Sequence, residues 1–435
     1  MMKRINTKKL TALVALTLTL GWSLPAYAKT IETDSIQGQQ LMKGDWKPDK
    51  LIHAKNSTIT ADSVAIGPHS LSRSTQWYGW APLMLEDSTL KAKKGISVDR
   101  IDVGVAYNDY LSGVYTSVSK VQAPQLEISH ISTTADNSGK NIWGLYADAE
   151  SEYGTGTIYH PQFNVDTIHI HDVSSDTVTL AAGAAMNYVQ WKPQTEGERN
   201  NLIIETITNQ NAADDSLAVG IVNAVSDDAP LIITGETVLK NISALHGSAI
   251  GFYTEGARDL KDYTRFHQLD ISGIHGSDLS VGNFGTAGIE YVENATIDMT
   301  SGTEYAGAYT ASAEDSKQET VNQFAIAGGI QGNIYMDNPA GNYIIRGNIL
   351  ADAGYNILAE EAKYNLLALE VEHELQEPGL SEEDKKGLQD QLRSEADRLA
   401  EFRSYGHVNL AGHLNLAGDV YAENRGILNL HLQNG

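Results

Sequence analysis

The chain of 435 residues contains no cysteine. Disulfides, thiolate metal sites and thiol nucleophiles are therefore excluded, and stability must come from side-chain packing alone. Positive charge is scarce: 31 Lys and Arg stand against 55 Asp and Glu, a formal charge of −24. Such a surface repels phosphate backbones and anionic headgroups, so nucleic acid is not an expected partner, and the acidic excess reads as a solvated exterior. Apolar runs long enough to span a bilayer are missing after residue 20, so no transmembrane segment is expected in the chain. Signatures of catalysis are missing too. No Gly-x-Ser-x-Gly, phosphate loop or dinucleotide fingerprint occurs, and Ser112-Gly113 has no base near it in sequence. No catalytic residue, no cofactor and no metal is assigned, and the chain is read as a non-enzyme.

What is present begins with a leader. Lys3, Arg4, Lys8 and Lys9 precede a short apolar run over residues 10–20, and Ala26-Tyr27-Ala28 forms a small-x-small cleavage site. Residues 1–28 therefore read as a signal peptide cut after Ala28. The roughly 400 residues that remain are ample for a sizeable core.

The strongest signal is a recurring cadence. An apolar-x-apolar step is followed by another aliphatic, a polar loop, and a glycine among small or apolar residues. Leu126, Ile128 and Ile131 lead to Gly144; Ile168, Ile170 and Val173 to Gly183; Ile203, Ile204 and Ile207 to Gly220; Val238, Leu239 and Ile242 to Gly251; Leu269, Ile271 and Ile274 to Gly288. These glycines are spaced 39, 37, 31 and 37 residues apart, with Gly79 and Gly113 extending the series toward the N-terminus. A loose period of this kind marks repeats that bury their apolar faces by stacking. The apolar steps alternate as in strands, and the intervals are filled by Asn, Asp, Gly and Ser. No blade signature of a propeller recurs. The fold expected is all-β, a parallel β-helix of about a dozen coils, on the order of 60 Å long at about 4.8 Å per coil. Spacings of 31 to 39 exceed a bare coil, so either loops protrude or some repeats hold more than one coil.

The β pattern covers residues 29–354 and is then broken. Residues 355–377 and 381–403 read as two helices joined at Pro378-Gly379, an inserted hairpin over 355–404. Leu358, Ala362, Leu366 and Leu369 share one face of the first helix, and Leu388, Leu392, Ala396 and Leu399 share one face of the second. Ser381 followed by Glu382, Glu383 and Asp384 is an N-cap with acids in the first turn. A projection that closes on itself is favoured over a partner-binding arm. From residue 405 to 435 the coils resume in strict alternation, as in residues 407–421 and 427–432.

With its leader, its lack of cysteine, its Gly/Asn/Ser/Thr-rich strand repeats and the ladder over residues 407–432, the chain resembles the passenger region of bacterial autotransporters. The resemblance covers nearly all of the chain after the leader, as pattern. It implies a right-handed β-helix displayed at, or released from, the surface of a Gram-negative bacterium. Family members end in a C-terminal β-barrel; here no barrel strands follow the ladder before Gly435, so the sequence reads as the N-terminal part of a longer product, as a truncated gene product, or as a chain whose resemblance is architectural only. Protease passengers carry Gly-Asp-Ser-Gly, which is absent.

Three sets of side chains are candidates for chemistry. In Ile168-His169-Ile170-His171-Asp172, alternation puts both imidazoles on one strand face, within reach of one ion. Without a third ligand they define no site, and a polar outer face explains them. Asp214-Asp215 and Asp227-Asp228 lack the glycine-rich calcium nonapeptide and read as solvated turns. Trp77, Tyr78, Trp80, Tyr107, Tyr110, Tyr115, Tyr146, Tyr153 and Tyr159 form an aromatic-rich stretch suited to stacking on sugars or anchoring proteins. Arginines are few and scattered (Arg73, Arg100, Arg199, Arg258, Arg265, Arg346), which argues against an acidic polymer. The expected function is adhesion or cell contact through a glycan or protein surface ligand, with self-association open. The alternatives are a β-helical polysaccharide lyase or glycosidase, and an inert stalk.

Overall fold

The structure is a computed structural model describing residues 33–41, 45–47, 51–73, 81–105, 110–134, 136–151, 158–213, 216–226, 228–256, 262–300, 323–353, 356–376 and 379–431. The leader, the Trp77–Trp80 stretch, Tyr107, Tyr153, Asp214, Asp215 and Asp227 lie outside them. The described strands form one 26-stranded sheet in which every named pairing is parallel, plus one small antiparallel pair, Glu150–Ser151 with Ile158–Tyr159. A parallel sheet whose consecutive strands pair with coils before and after, not with each other, is a parallel β-helix.

Each coil has three faces. The first is built by strands such as Asn141–Asp148 and Leu180–Asn187. The second and third are the two halves of longer, bent strands such as Lys120–Thr133, Gln162–Ser175 and Leu231–Ala244. From Thr33 to Glu423 the first face stacks twelve strands in succession. At about 4.8 Å each they make a rod on the order of 50 Å long.

Like stacks on like inside it. On the third face Val98, Ile128, Ile170, Ile204, Leu239, Ile271, Ile297 and Ile345 are successive register partners. All of them are buried in one continuous core. β-Branched and leucine side chains fit this column because strand periodicity sends them inward at every second position. Each contributes roughly 1.5–3 kcal/mol on burial. Hydroxyls stack as well: the Ser57 and Ser88 amides donate to Ser88 Oγ (3.1 Å) and Ser119 Oγ (3.0 Å) of the following coil.

The glycine cadence is a close-approach ladder on the first face. A Cβ on Gly113, Gly144, Gly183, Gly220 or Gly251 would meet the carbonyl oxygen of the next ladder glycine at 2.8, 2.7, 2.7, 2.4 and 2.4 Å. It would also strike the side chain of an isoleucine of the third face at 2.4–3.1 Å. Only hydrogen fits. The ladder ends at Gly282, whose virtual Cβ meets Ala325 O. Gly288, the expected fifth member, is instead a left-handed residue (φ +67°) against Asp262. Gly282 escapes sequence reading because polar Asn283 follows it where every earlier ladder glycine after Gly113 is followed by an apolar residue. Asn283 points inward and bonds a buried glutamate.

Each repeat is a single coil. The closest glycine spacing, 31 residues, is one coil of three broad faces. The longer spacings come from excursions such as the small antiparallel pair after Asp148 and the turn following Lys192. First-face strands such as Leu180–Asn187 and Ser216–Val225 are buried along their whole length. Their outward side chains join a second apolar cluster with Trp143, Tyr146, Ile250, Tyr253 and Phe284.

The helical hairpin is present, as α1 (Asn356–Glu374) and α2 (Glu382–Phe402). It is inserted between first-face strand Asn348–Asp352 and second-face strand His407–Leu410. Ser381 caps α2, its Oγ accepting from the Asp384 amide at 3.1 Å. The helices are joined by Arg398 on Glu360 and by Lys363–Glu395 (3.6 Å). Glu361 takes Arg403 at 3.1 Å and Arg425 of the last coil at 3.3 Å, tying the hairpin's base to the rod. The expected face of α2 turns inward, with Leu399 only 4% exposed. For α1 the expected face is wrong: Leu366 and Leu369 are 62% and 64% exposed, and Val371 is buried instead. The ion pairs at Glu360, Glu361 and Lys363 set the rotation of α1, and an aliphatic count cannot register them. No helix among the described residues is long and apolar enough to cross a membrane.

Candidate functional site

On the outer side of the third face, the coils bring together residues far apart in sequence. Ile168 and Ile170 are buried in the core, and His169 and His171 point out, as strand alternation requires. The preceding coil places Glu127 directly beside His169, and the following coil places Glu205 beside His171. The chain then leaves regular strand geometry at one point in each coil. Arg100, His130, Asp172, Thr206 and Asn241 all have positive φ (53–59°) at equivalent positions. This kink resets the alternation so that Ile131, Val173, Ile207 and Ile242 face inward again. It also adds outward side chains beside the histidines, the usual consequence of a bulge.

The resulting cluster is dense. His171 Nδ1 lies 2.8 Å from Asp172 Oδ2, and a carboxylate can only accept, so the proton is on Nδ1. That leaves Nε2 with its lone pair, 3.7 Å from Glu127 Oε1. Glu127 Oε2 takes a long bond from Gln125 Nε2 at 3.5 Å. His169 stands 4.9 Å from His171, ring centre to ring centre. Its Nε2 is buried, makes no hydrogen bond, and lies 3.5 Å from Glu205 Oε2. Lys240 stands 4.0 Å beyond, on the other oxygen of Glu205. His130 is held between two acids, Nδ1 at 2.8 Å from Asp99 Oδ1 and Nε2 at 3.4 Å from Asp172 Oδ2. Burial opposes the charge on Asp99, but hydrogen bonds from Ser129 and His130, with Arg100 nearby, hold its carboxyl below the usual range. The ligand atoms of Glu127, His169 and His171 all lie within 4.8 Å of one another. The third ligand that sequence could not supply is thus Glu127, 42 positions before His169 and one coil away in space.

A second outward feature lies several coils further along, on the second face. Tyr291 and Tyr335 are register partners with rings 5.6 Å apart at 26°, and Tyr263 stands edge-on to Tyr291 at 6.3 Å. All three are half-buried, and exposed Arg265 places its guanidinium carbon 5.5 Å from the Tyr291 ring centre. Burial, with Tyr291 and Asp337 nearby, raises the Tyr335 phenol above its ordinary value. The tyrosines expected to form such a platform are placed differently. Tyr146 is 6% exposed and stacked on half-buried Tyr115 (5.9 Å, 6°), whereas Tyr159 is 46% exposed. Tyr263, Tyr291 and Tyr335 are up to 72 residues apart in the chain, so nothing local announces them.

The other candidate residues stay apart. Ser112 is buried in the first face, with no histidine or acid bonded to its hydroxyl. Asp228 is exposed and pairs with His160 Nε2 at 3.0 Å. Ser226 and His160 keep its carboxyl low. Arg346 is engaged by Asp298 at 3.0 Å.

No protein-family model matches the chain, and it matches no curated protein and no solved structure.

Proposed function

We propose that this is an exported, surface-displayed or secreted interaction protein of autotransporter-passenger type, which binds a surface ligand along the side of its rod. The observation that carries this reading is the Tyr263–Tyr291–Tyr335 ladder with Arg265 alongside. Half-exposed aromatic rings at coil spacing, edged by a guanidinium, offer flat apolar area with polar rims, the surface that sugar rings and protein anchors use. Hydrolysis of a glycan needs two carboxylates flanking the scissile bond beside the sugar platform. Asp337 stands near Tyr335, so a glycan-cleavage assay run beside the binding assay separates binding from the alternative, a lyase or glycosidase.

The test is a glycan-array and cell-adhesion assay of the purified chain, the Tyr291→Ala/Tyr335→Ala double variant, and a variant lacking residues 355–403. Binding that falls at least tenfold in the double variant and survives loss of the hairpin supports the reading. A chain that binds neither glycans nor cells in any form is a stalk, and the interaction reading is then lost.

A further inference from the structure

We infer that Glu127, His169 and His171 form a binding site for a zinc-class divalent cation on the outer third face, independently of any ligand held by the tyrosine ladder. Three features of the arrangement lead there. The donor set is two imidazoles and one carboxylate, the combination that suits zinc and its neighbours rather than calcium or magnesium, which take oxygen ligands.

The spacing fits as well. Zinc–nitrogen and zinc–oxygen bonds of about 2.0–2.1 Å put tetrahedral ligand atoms roughly 3.3–3.5 Å apart. The 3.7 Å between His171 Nε2 and Glu127 Oε1 is too long for a hydrogen bond and close to that edge. The atoms of all three residues lie within 4.8 Å of one another, so small rotamer adjustments bring the set together.

The strongest feature is the shell behind the ligands. Asp172 accepts the Nδ1 proton of His171, fixing the ring and leaving Nε2 as the donor to an ion, the carboxylate–histidine–metal arrangement. His130 in turn bonds Asp99 and faces the same Asp172 oxygen, bracing the orienting acid from behind. The Nε2 of His169 is buried and makes no hydrogen bond, with Glu205 Oε2 3.5 Å away. Asp172 also belongs to an alternative trio with His130 and His171. There, however, the Asp172 oxygen is already occupied by the His171 N–H and His171 presents its protonated nitrogen, so that trio is the brace and not the site. Three protein ligands leave a coordination position for water or for a side chain of a bound molecule.

The experiment uses the purified full chain without a polyhistidine tag. Zinc is titrated calorimetrically, and cobalt(II) absorption reports tetrahedral coordination. The expectation is one zinc per chain, with calcium at millimolar concentration unable to displace it. His169→Ala and His171→Ala should each weaken binding at least 100-fold, Glu127→Gln about tenfold, and Asp172→Asn 10- to 100-fold through the lost orientation of His171. His130→Ala should weaken it only a few-fold. These side chains point outward, so circular dichroism should be unchanged in every variant, and His169→Gln and His171→Gln serve as shape-conserving duplicates. Zinc binding that is unaffected by the His169 and His171 substitutions overturns the assignment. So does loss of binding in His130→Ala with Glu127→Gln unaffected, or displacement by calcium.

Discussion

Glu290 is a carboxylate buried within the rod, and its titration gives a quantitative handle on the stacking. Glu290 is 2% exposed, and Asn283 beside it is fully buried. Asn283 Nδ2 donates to Glu290 Oε1 at 2.5 Å, whereas Glu290 Oε2 and Asn283 Oδ1 have no hydrogen-bond partner. Burial disfavours the charged form and outweighs the single bond from Asn283, so the carboxyl pKa is pushed up to about 8 from an ordinary 4.5. The acid is therefore mainly protonated at neutral pH, which supplies the pair with a donor. The sign follows from linkage. Below pH 4.5 the group is protonated whether the chain is folded or not, and no stability is lost. Between 4.5 and 8 the unfolded chain releases the proton and the folded one keeps it, so stability falls by about 1.4 kcal/mol per pH unit. The loss is about 3 kcal/mol at pH 7 and levels off near 5 kcal/mol above pH 8.

Glu290→Gln keeps the shape and removes the titration. Relative to the parent chain, it should become progressively more resistant to urea from pH 5 to pH 9. Amide hydrogen exchange around residues 279–292 should show the same trend locally, the more direct measure because a stack of coils opens piecewise. Half-buried Asp148, raised to about 6 by desolvation despite its bond from Asn187, contributes a loss of the same sign at lower pH in both proteins. The difference between the two proteins isolates Glu290. Parallel pH profiles for the parent and Glu290→Gln would refute the buried-acid reasoning.

Further outcomes follow from the glycine ladder and the hairpin. Gly220→Ala puts a methyl 2.4 Å from a ladder carbonyl and 2.7 Å from Ile242, neither of which can retreat without opening the stack. A loss of about 3 kcal/mol or more is expected in urea denaturation, and a loss under 1 kcal/mol would mean that the coils are not so tightly packed. Gly387→Ala lies within α2 with nothing inside 4 Å, so it should stabilise the hairpin by about 0.5–1 kcal/mol; a loss of helical circular dichroism would contradict this. Ser381→Ala removes the cap of α2 and should cost about 1 kcal/mol of hairpin stability, read as faster amide exchange over residues 382–386 with the coils unchanged.

Sequence alone determined the architecture. The alternation of Ile, Val and Leu, the recurring glycines and the turn residues between them require strands that stack in coils, because both the apolar period and the need for closely approaching backbones are local properties. The same local logic located the capped second helix and placed both histidines of the 168–172 segment on one outward face.

Tertiary structure alone decided which coils are neighbours at which register. Loops of unequal length separate the repeats, so nothing in the chain specifies that Glu127 lies beside His169, or that Tyr291 stacks on Tyr335. That same register replaced Gly288 by Gly282 in the ladder, and ion pairs rotated Leu366 and Leu369 of α1 outward. Strand periodicity determines the direction of a side chain, but only the stacking of distant segments determines what it meets. Every candidate for function here is a meeting of that second kind.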